Sequence, residues 1–199
     1  MRKLSCLAVL ALALGAAGFA QKNEVAVDVG GKFTPSVGPT GNQTTFSKTL
    51  AFEANYATEL VDVSAAAVHL EFPFVAAPSV DLTTNNLTAV KSYSSIFFTP
   101  SLRLKLVSKS VISPWISAGA GLAHFSPSST TVGGATTTTK ATTKSAVQGG
   151  AGLDFHPPLL PVAFRAEVRD FYTGIPNLNT IGIRVRHNLF VGGGVVLRF

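Results

Sequence analysis

Leu189-Phe-Val-Gly-Gly-Gly-Val-Val-Leu-Arg-Phe199 sets Leu189, Val191, Val195, Leu197 and Phe199 on one edge of an extended chain and small and polar groups on the other. Such a tract is too short to cross a bilayer as a helix, yet it is long enough to cross as a strand tilted in a barrel wall. A half-buried strand of a soluble sheet would alternate in the same way, so the rest of the chain decides between the two.

Residues 1–20 carry Arg2 and Lys3, then an apolar stretch from Leu4 to Ala17, and end in Ala17-Gly18-Phe19-Ala20, with small residues three and one before Gln21. That order is expected of a Sec-type signal peptide, which leaves residues 21–199 as one domain. No later segment offers the roughly twenty uninterrupted apolar residues that a membrane helix needs. Cys6 is the only cysteine, and it precedes most of the apolar stretch, so lipid attachment is not expected. Once it is removed, no disulfide framework and no thiol chemistry remain.

Composition points the same way. Hydrophobic residues make up 46% of the chain and charged ones 13%, but the apolar groups are dispersed in alternation, as a transmembrane barrel requires. The formal charge of +6 becomes +4 when Arg2 and Lys3 leave. That excess suits anionic lipopolysaccharide, and without a Lys/Arg cluster it excludes a nucleic-acid partner.

Eight alternating segments follow, at residues 24–33, 48–57, 63–74, 95–107, 114–125, 147–155, 162–172 and 187–199. In the clear cases the apolar groups share one edge and the charges the other: Val25, Val27 and Val29 against Asp28 and Lys32, or Leu102, Leu104 and Leu106 against Arg103 and Lys105. In the fifth segment Ile116, Ala118, Ala120 and Leu122 compete with Trp115, Gly119 and Gly121, and the aliphatic groups are assigned outward. The breaks at 58–62, 108–113 and 156–161 are short, and the four between them are long and rich in Thr, Ser, Gly, Asn and Pro. The fold expected is all-β, an eight-stranded antiparallel up-and-down transmembrane barrel with short periplasmic turns and long extracellular loops.

The terminal strand ending in Phe199 and the tract Phe164-Arg-Ala-Glu-Val-Arg-Asp-Phe-Tyr172 carry a resemblance to the small outer-membrane barrels of the OmpA/OmpX type, over essentially all of residues 21–199. The resemblance implies a bacterial outer-membrane location with both termini periplasmic. It implies Leu197 and Phe199 as an assembly signal for the barrel-assembly machinery and periplasmic chaperones, with outer-membrane lipid and lipopolysaccharide as surroundings and a monomeric state. The peptidoglycan-binding domain that follows some such barrels does not occur in this sequence, so no cell-wall tether is expected.

Glu53, His69, Glu71, Arg103, Lys105, Asp154, Arg165, Glu167 and Arg169 fall on inner edges. Eight strands enclose an interior that side chains just fill, and buried charges must pair, so these residues are expected to form a structural ion-pair network. His69 and Glu71 lie two apart on one strand face and, with Ser95 or Ser101, invite comparison with a hydrolase triad; no nucleophile motif accompanies them. His124, His156 and His187 lack ligand spacing, and no metal site, cofactor or catalytic residue is expected. The clusters Gly119-Ala-Gly121, Gly149-Gly150-Ala-Gly152 and Gly192-Gly-Gly194 match no phosphate-binding pattern and suit bends or places where large interior groups such as Arg169 need room. The Thr-rich run 126–145 reads equally as a flexible solvated loop or as an exposed interaction strip drawn out into β-ribbon. The expected function is non-enzymatic, in envelope integrity or surface interaction through the loops. A lipid-modifying hydrolase and a conduit for small hydrophobic molecules are the alternatives.

Overall fold

The computed structural model describes residues 22–36, 44–63, 65–84, 87–107, 110–126, 129–132, 135–138, 140–158, 160–173 and 187–199. The signal-peptide reading of residues 1–20 lies outside the described residues. Eight strands build the wall: β1 Asn23–Phe33, β2 Thr49–Asp62, β3 Ala66–Thr84, β4 in two segments, Leu87–Phe98 and Ser101–Leu106, β5 Ile112–Phe125, β6 Thr142–Phe155, β7 Val162–Thr173 and β8 His187–Arg198. Each pairs antiparallel with its neighbours in sequence, and β8 pairs with β1, so the wall closes.

The register sets the shape. From Asn23 the cross-strand partners run through Thr58, Leu70, Leu102, Ala118, Gly149, Asp170 and Leu189 and return to β1 at Phe33, ten residues (33 − 23) beyond the start. Ten residues of stagger at ~3.3 Å each, against eight strand spacings of ~4.8 Å, tilt the strands by about 40° and give a wall radius of about 8 Å. An interior of that width is filled by side chains.

Alternation then divides the residues. Val27, Phe52, Leu102, Ile116, Val147 and Phe164 stand exposed on the outer face, while Asp28, Glu53, Arg103, Trp115, Gln148 and Arg165 next to them are buried inside. An apolar outer belt around a charged interior is stable only with hydrocarbon outside. On β5 the outward groups are Ile116, Ala118, Ala120 and Leu122.

Several sequence expectations change, among them the start of β6, read at residue 147 but found at Thr142, so that residues 142–146 of the Thr-rich connection are strand. Thr58–Asp62, read as a turn, continues β2, and the turn follows it; an irregularity between Glu59 and Val61 shifts the pairing and breaks the period of two. Residues 75–94, read as a long connection, are mostly strand: β3 runs nineteen residues, about twice the length a crossing needs, and β4 returns from Leu87. Thr, Val and Ser there fill a ladder as readily as a loop. The fourth strand, read as continuous, is interrupted at Thr99–Pro100. Pro100 has no amide donor, and Pro73 on the adjacent strand lacks one too.

The short strand Thr44–Phe46 adds to the far end of β3, and Ser129–Val132 pairs with Ala135–Thr138 as a separate ribbon within the Thr-rich run. The short turns after β2, β4 and β6 share one rim with Asn23 and Phe199, which exchange two main-chain hydrogen bonds of 3.0 Å. The β3–β4 hairpin rises from the opposite rim.

Candidate functional site

The interior is layered. Nearest the chain ends, Glu24 on β1 collects cations from around the wall: the Arg103 guanidinium donates to it, Lys105 Nζ and Arg198 Nε each lie 2.9 Å away, and Arg165 lies 3.5 Å away. Asp154 on β6 accepts from its cross-strand partner Arg165 at 2.8 Å and sits 2.5 Å from Lys105. Trp115 Nε1 donates to the same carboxylate at 3.2 Å. The Trp115 indole is the hub of the layer, with the guanidiniums of Arg103, Arg165 and Arg169 at 5.6, 5.2 and 5.1 Å from its ring centre. Gly152, its partner on β6, makes room for it, since a Cβ there would lie 2.5 Å from the ring.

The middle layer centres on Arg169. Its guanidinium meets Glu71 at 2.8 Å, Glu53 at 3.1 Å and Glu167 at 3.2 Å. Asn55 donates to Glu71 at 3.0 Å, and Gln148 links Ser101 at 2.5 Å with Ser117 at 3.0 Å. Above this lies an aromatic layer: Phe97 stacks on Phe171 at 4.6 Å and meets Phe125 edge-on at 6.1 Å, and Tyr93 lies 6.0 Å from Phe125. Lys32 points into this aromatic layer, donating to Ser95 at 2.8 Å while its ammonium lies 5.2 Å from the Phe97 ring.

The nine residues assigned to the interior from sequence are each 5% exposed or less. Asp28, Lys32, Asn55, Trp115 and Gln148, which the alternation also turns inward, are buried with them, and the structure adds Glu24. Glu24 has the same parity as Asp28 and was legible in the alternation. The aromatic layer has a sequence signal as well: at Ile96–Phe98 and at Leu189–Val191 the inner edge turns apolar along with the outer one.

His69 and Glu71 share a strand face but do not act as a pair. The acid His69 approaches is Glu24, at 3.9 Å, and Glu71 turns to Arg169 and Asn55. Ser95 is taken up by Lys32 and Ser101 by Gln148. All four side chains are buried inside the wall, where a lipid packed on the outer belt does not reach them. His124 and His187 bond locally to Thr143 at 2.9 Å and Asp170 at 2.7 Å. His156 sits in the turn after β6, where burial, then the charges of Arg198 and Lys105, push its pKa down to about 4. Leu197 pairs with Val25 and Val162, so the terminal strand is sealed into the wall on both sides.

No family model and no curated protein matches the chain. Solved structures do. The outer membrane protein OprG from Pseudomonas aeruginosa superposes with a TM-score of 0.58 at 12% identity, over 90% of this chain and 97% of that one. Neisserial surface protein A gives a TM-score of 0.54 at 14% identity, over 89% and 97%. With its closed, eight-stranded, inside-out wall, the chain has the fold of the small outer-membrane β-barrels.

Proposed function

We propose that this protein is a non-enzymatic outer-membrane barrel, with both chain ends in the periplasm, that serves envelope integrity or surface interaction through the structure raised above its outer rim. The observation that carries this reading is the pairing of a filled interior with the long β3–β4 hairpin. Charged and aromatic layers occupy the lumen from wall to wall, whereas a conduit needs open space there. Paired strands continue well past the length that a bilayer requires, which sets a rigid ribbon outside the membrane. Leu197 and Phe199 act as the signal for the assembly machinery, and the surrounding lipid includes lipopolysaccharide.

The test replaces residues 79–92 by a two-residue turn, with folding checked by gel mobility. Cells lacking the protein are expected to lose both detergent resistance and surface attachment, and cells with the shortened hairpin to keep the first and lose the second. Full attachment with the shortened hairpin, or lipid hydrolysis by the purified barrel, overturns the reading. Protease added to intact cells should cut near Lys140 and Lys144 and spare tags on the chain ends.

A further inference from the structure

The middle layer carries more negative charge than its guanidinium balances. Asp28 and Glu53 are direct cross-strand partners on β1 and β2, and like charges so placed destabilise a sheet unless something lies between them. Glu167 reaches the same point from β7. The three residues are buried, and one carboxylate oxygen from each lies within 4.8 Å of the others. Arg169 serves Glu53 through Oε1 and Glu167 through Oε2 while also holding Glu71.

The oxygens on the other side have no such service. Glu53 Oε2, Glu167 Oε1 and both oxygens of Asp28 have no hydrogen-bond donor among the described residues. Asp28 is 1% exposed, so water does not take the donor's place from outside. Its partner on the other side is Gly194, where a Cβ would lie 2.8 Å from Asp28 Oδ1. That Cβ would meet the Val27 carbonyl oxygen and Asp28 Cα more closely still, so the backbones approach tightly beside a carboxylate that has no hydrogen-bond donor among the described residues.

We propose that Asp28, Glu53 and Glu167 bind one hard divalent cation, of the calcium or magnesium class, inside the barrel. Three carboxylates and no nitrogen or sulfur donor suit that class over zinc or copper. The ion bridges the Asp28–Glu53 pair, ties β1 and β2 to β7 across the lumen, and supplies most of the missing positive charge. It also departs from the expectation of no metal site, which rested on histidine spacing and did not weigh inward carboxylates from strands far apart in sequence. The closed wall means that the ion enters while the barrel folds.

The test refolds urea-denatured protein into non-ionic detergent micelles with calcium, with magnesium or with EDTA, removes free metal by desalting, and measures retained metal by elemental analysis. About one ion per barrel is expected for the unaltered protein refolded with calcium or magnesium, with thermal unfolding shifted upward relative to the EDTA sample. Asp28→Asn, and Glu53→Gln as a second variant, remove a ligand and relieve repulsion, so they are expected to fold without metal and retain less than about a tenth as much. Equal stability of the calcium, magnesium and EDTA samples overturns the proposal, as does full retention in folded Asp28→Asn. If the unaltered protein retains no metal while Asp28→Asn is more stable than it, the carboxylates share a proton and no cation site exists.

Discussion

Arg169 and Arg103 differ in what each leaves behind. Removing Arg169 leaves Glu53 and Glu167 without the guanidinium they share and Glu71 with only Arg103 at 3.7 Å and Asn55, whereas removing Arg103 leaves Glu24 with Lys105, Arg165 and Arg198 and Glu71 with Arg169. Arg169→Met is therefore expected to cost about 3–5 kcal/mol, the range for a buried charge deprived of its partner, and Arg103→Met clearly less. Urea unfolding in lipid vesicles checks the order. A second expectation concerns His156, which is held neutral in the fold because its pKa is depressed to about 4. The unfolded chain takes up its proton near pH 6.5, so the stability this residue provides is complete above that value and is lost as pH falls toward 4. His156→Gln should flatten that part of the stability profile relative to the unaltered protein. At this scale the inward charges were legible from parity alone; what parity does not contain is partner choice. Glu24 gathers cations from β4, β7 and β8, and that convergence follows from barrel closure, which no local pattern encodes.

β4 shows how elements can be read and where the reading stops. Leu104 and Arg103 face opposite sides of the wall, as the alternation says. Leu104→Arg puts a charge against hydrocarbon and is expected to cost roughly 2–4 kcal/mol near the midplane. No interior acid-to-amide substitution should rescue it, whereas Glu53→Gln should partly rescue Arg169→Met; folding yields into vesicles distinguish the two. The ends of the strands were harder to place. Asp62 ends β2 after an irregularity that reverses the period, so the last residues of the strand resemble a turn. Residues 79–84 and 87–92 pair as strand, but Val80 and Leu82 alone alternate there before Thr83 and Thr84, too short a run to tell from a loop. Pro100 interrupts the β4 ladder, yet Phe98 and Leu102 still face outward on either side of it, which is why the sequence reads as one strand.

For the whole molecule, closure is the property from which the rest follows: every wall strand has two partners, and the charged interior exists only because the wall is sealed. Unboiled protein in SDS should therefore run at a different gel position from boiled protein, with a β-rich circular dichroism spectrum; one shared position would indicate an open sheet. The most direct measurement uses the single tryptophan. Trp115 is 1% exposed and points into the charged interior, while its neighbour Ile116 is 57% exposed on the outer belt. Fluorescence of the unaltered protein in vesicles of bromine-labelled lipid is expected to stay close to that in plain lipid, and fluorescence of the double variant Trp115→Phe, Ile116→Trp to be strongly quenched. Strong quenching of Trp115 with a protected tryptophan at 116 would contradict the inside-out barrel.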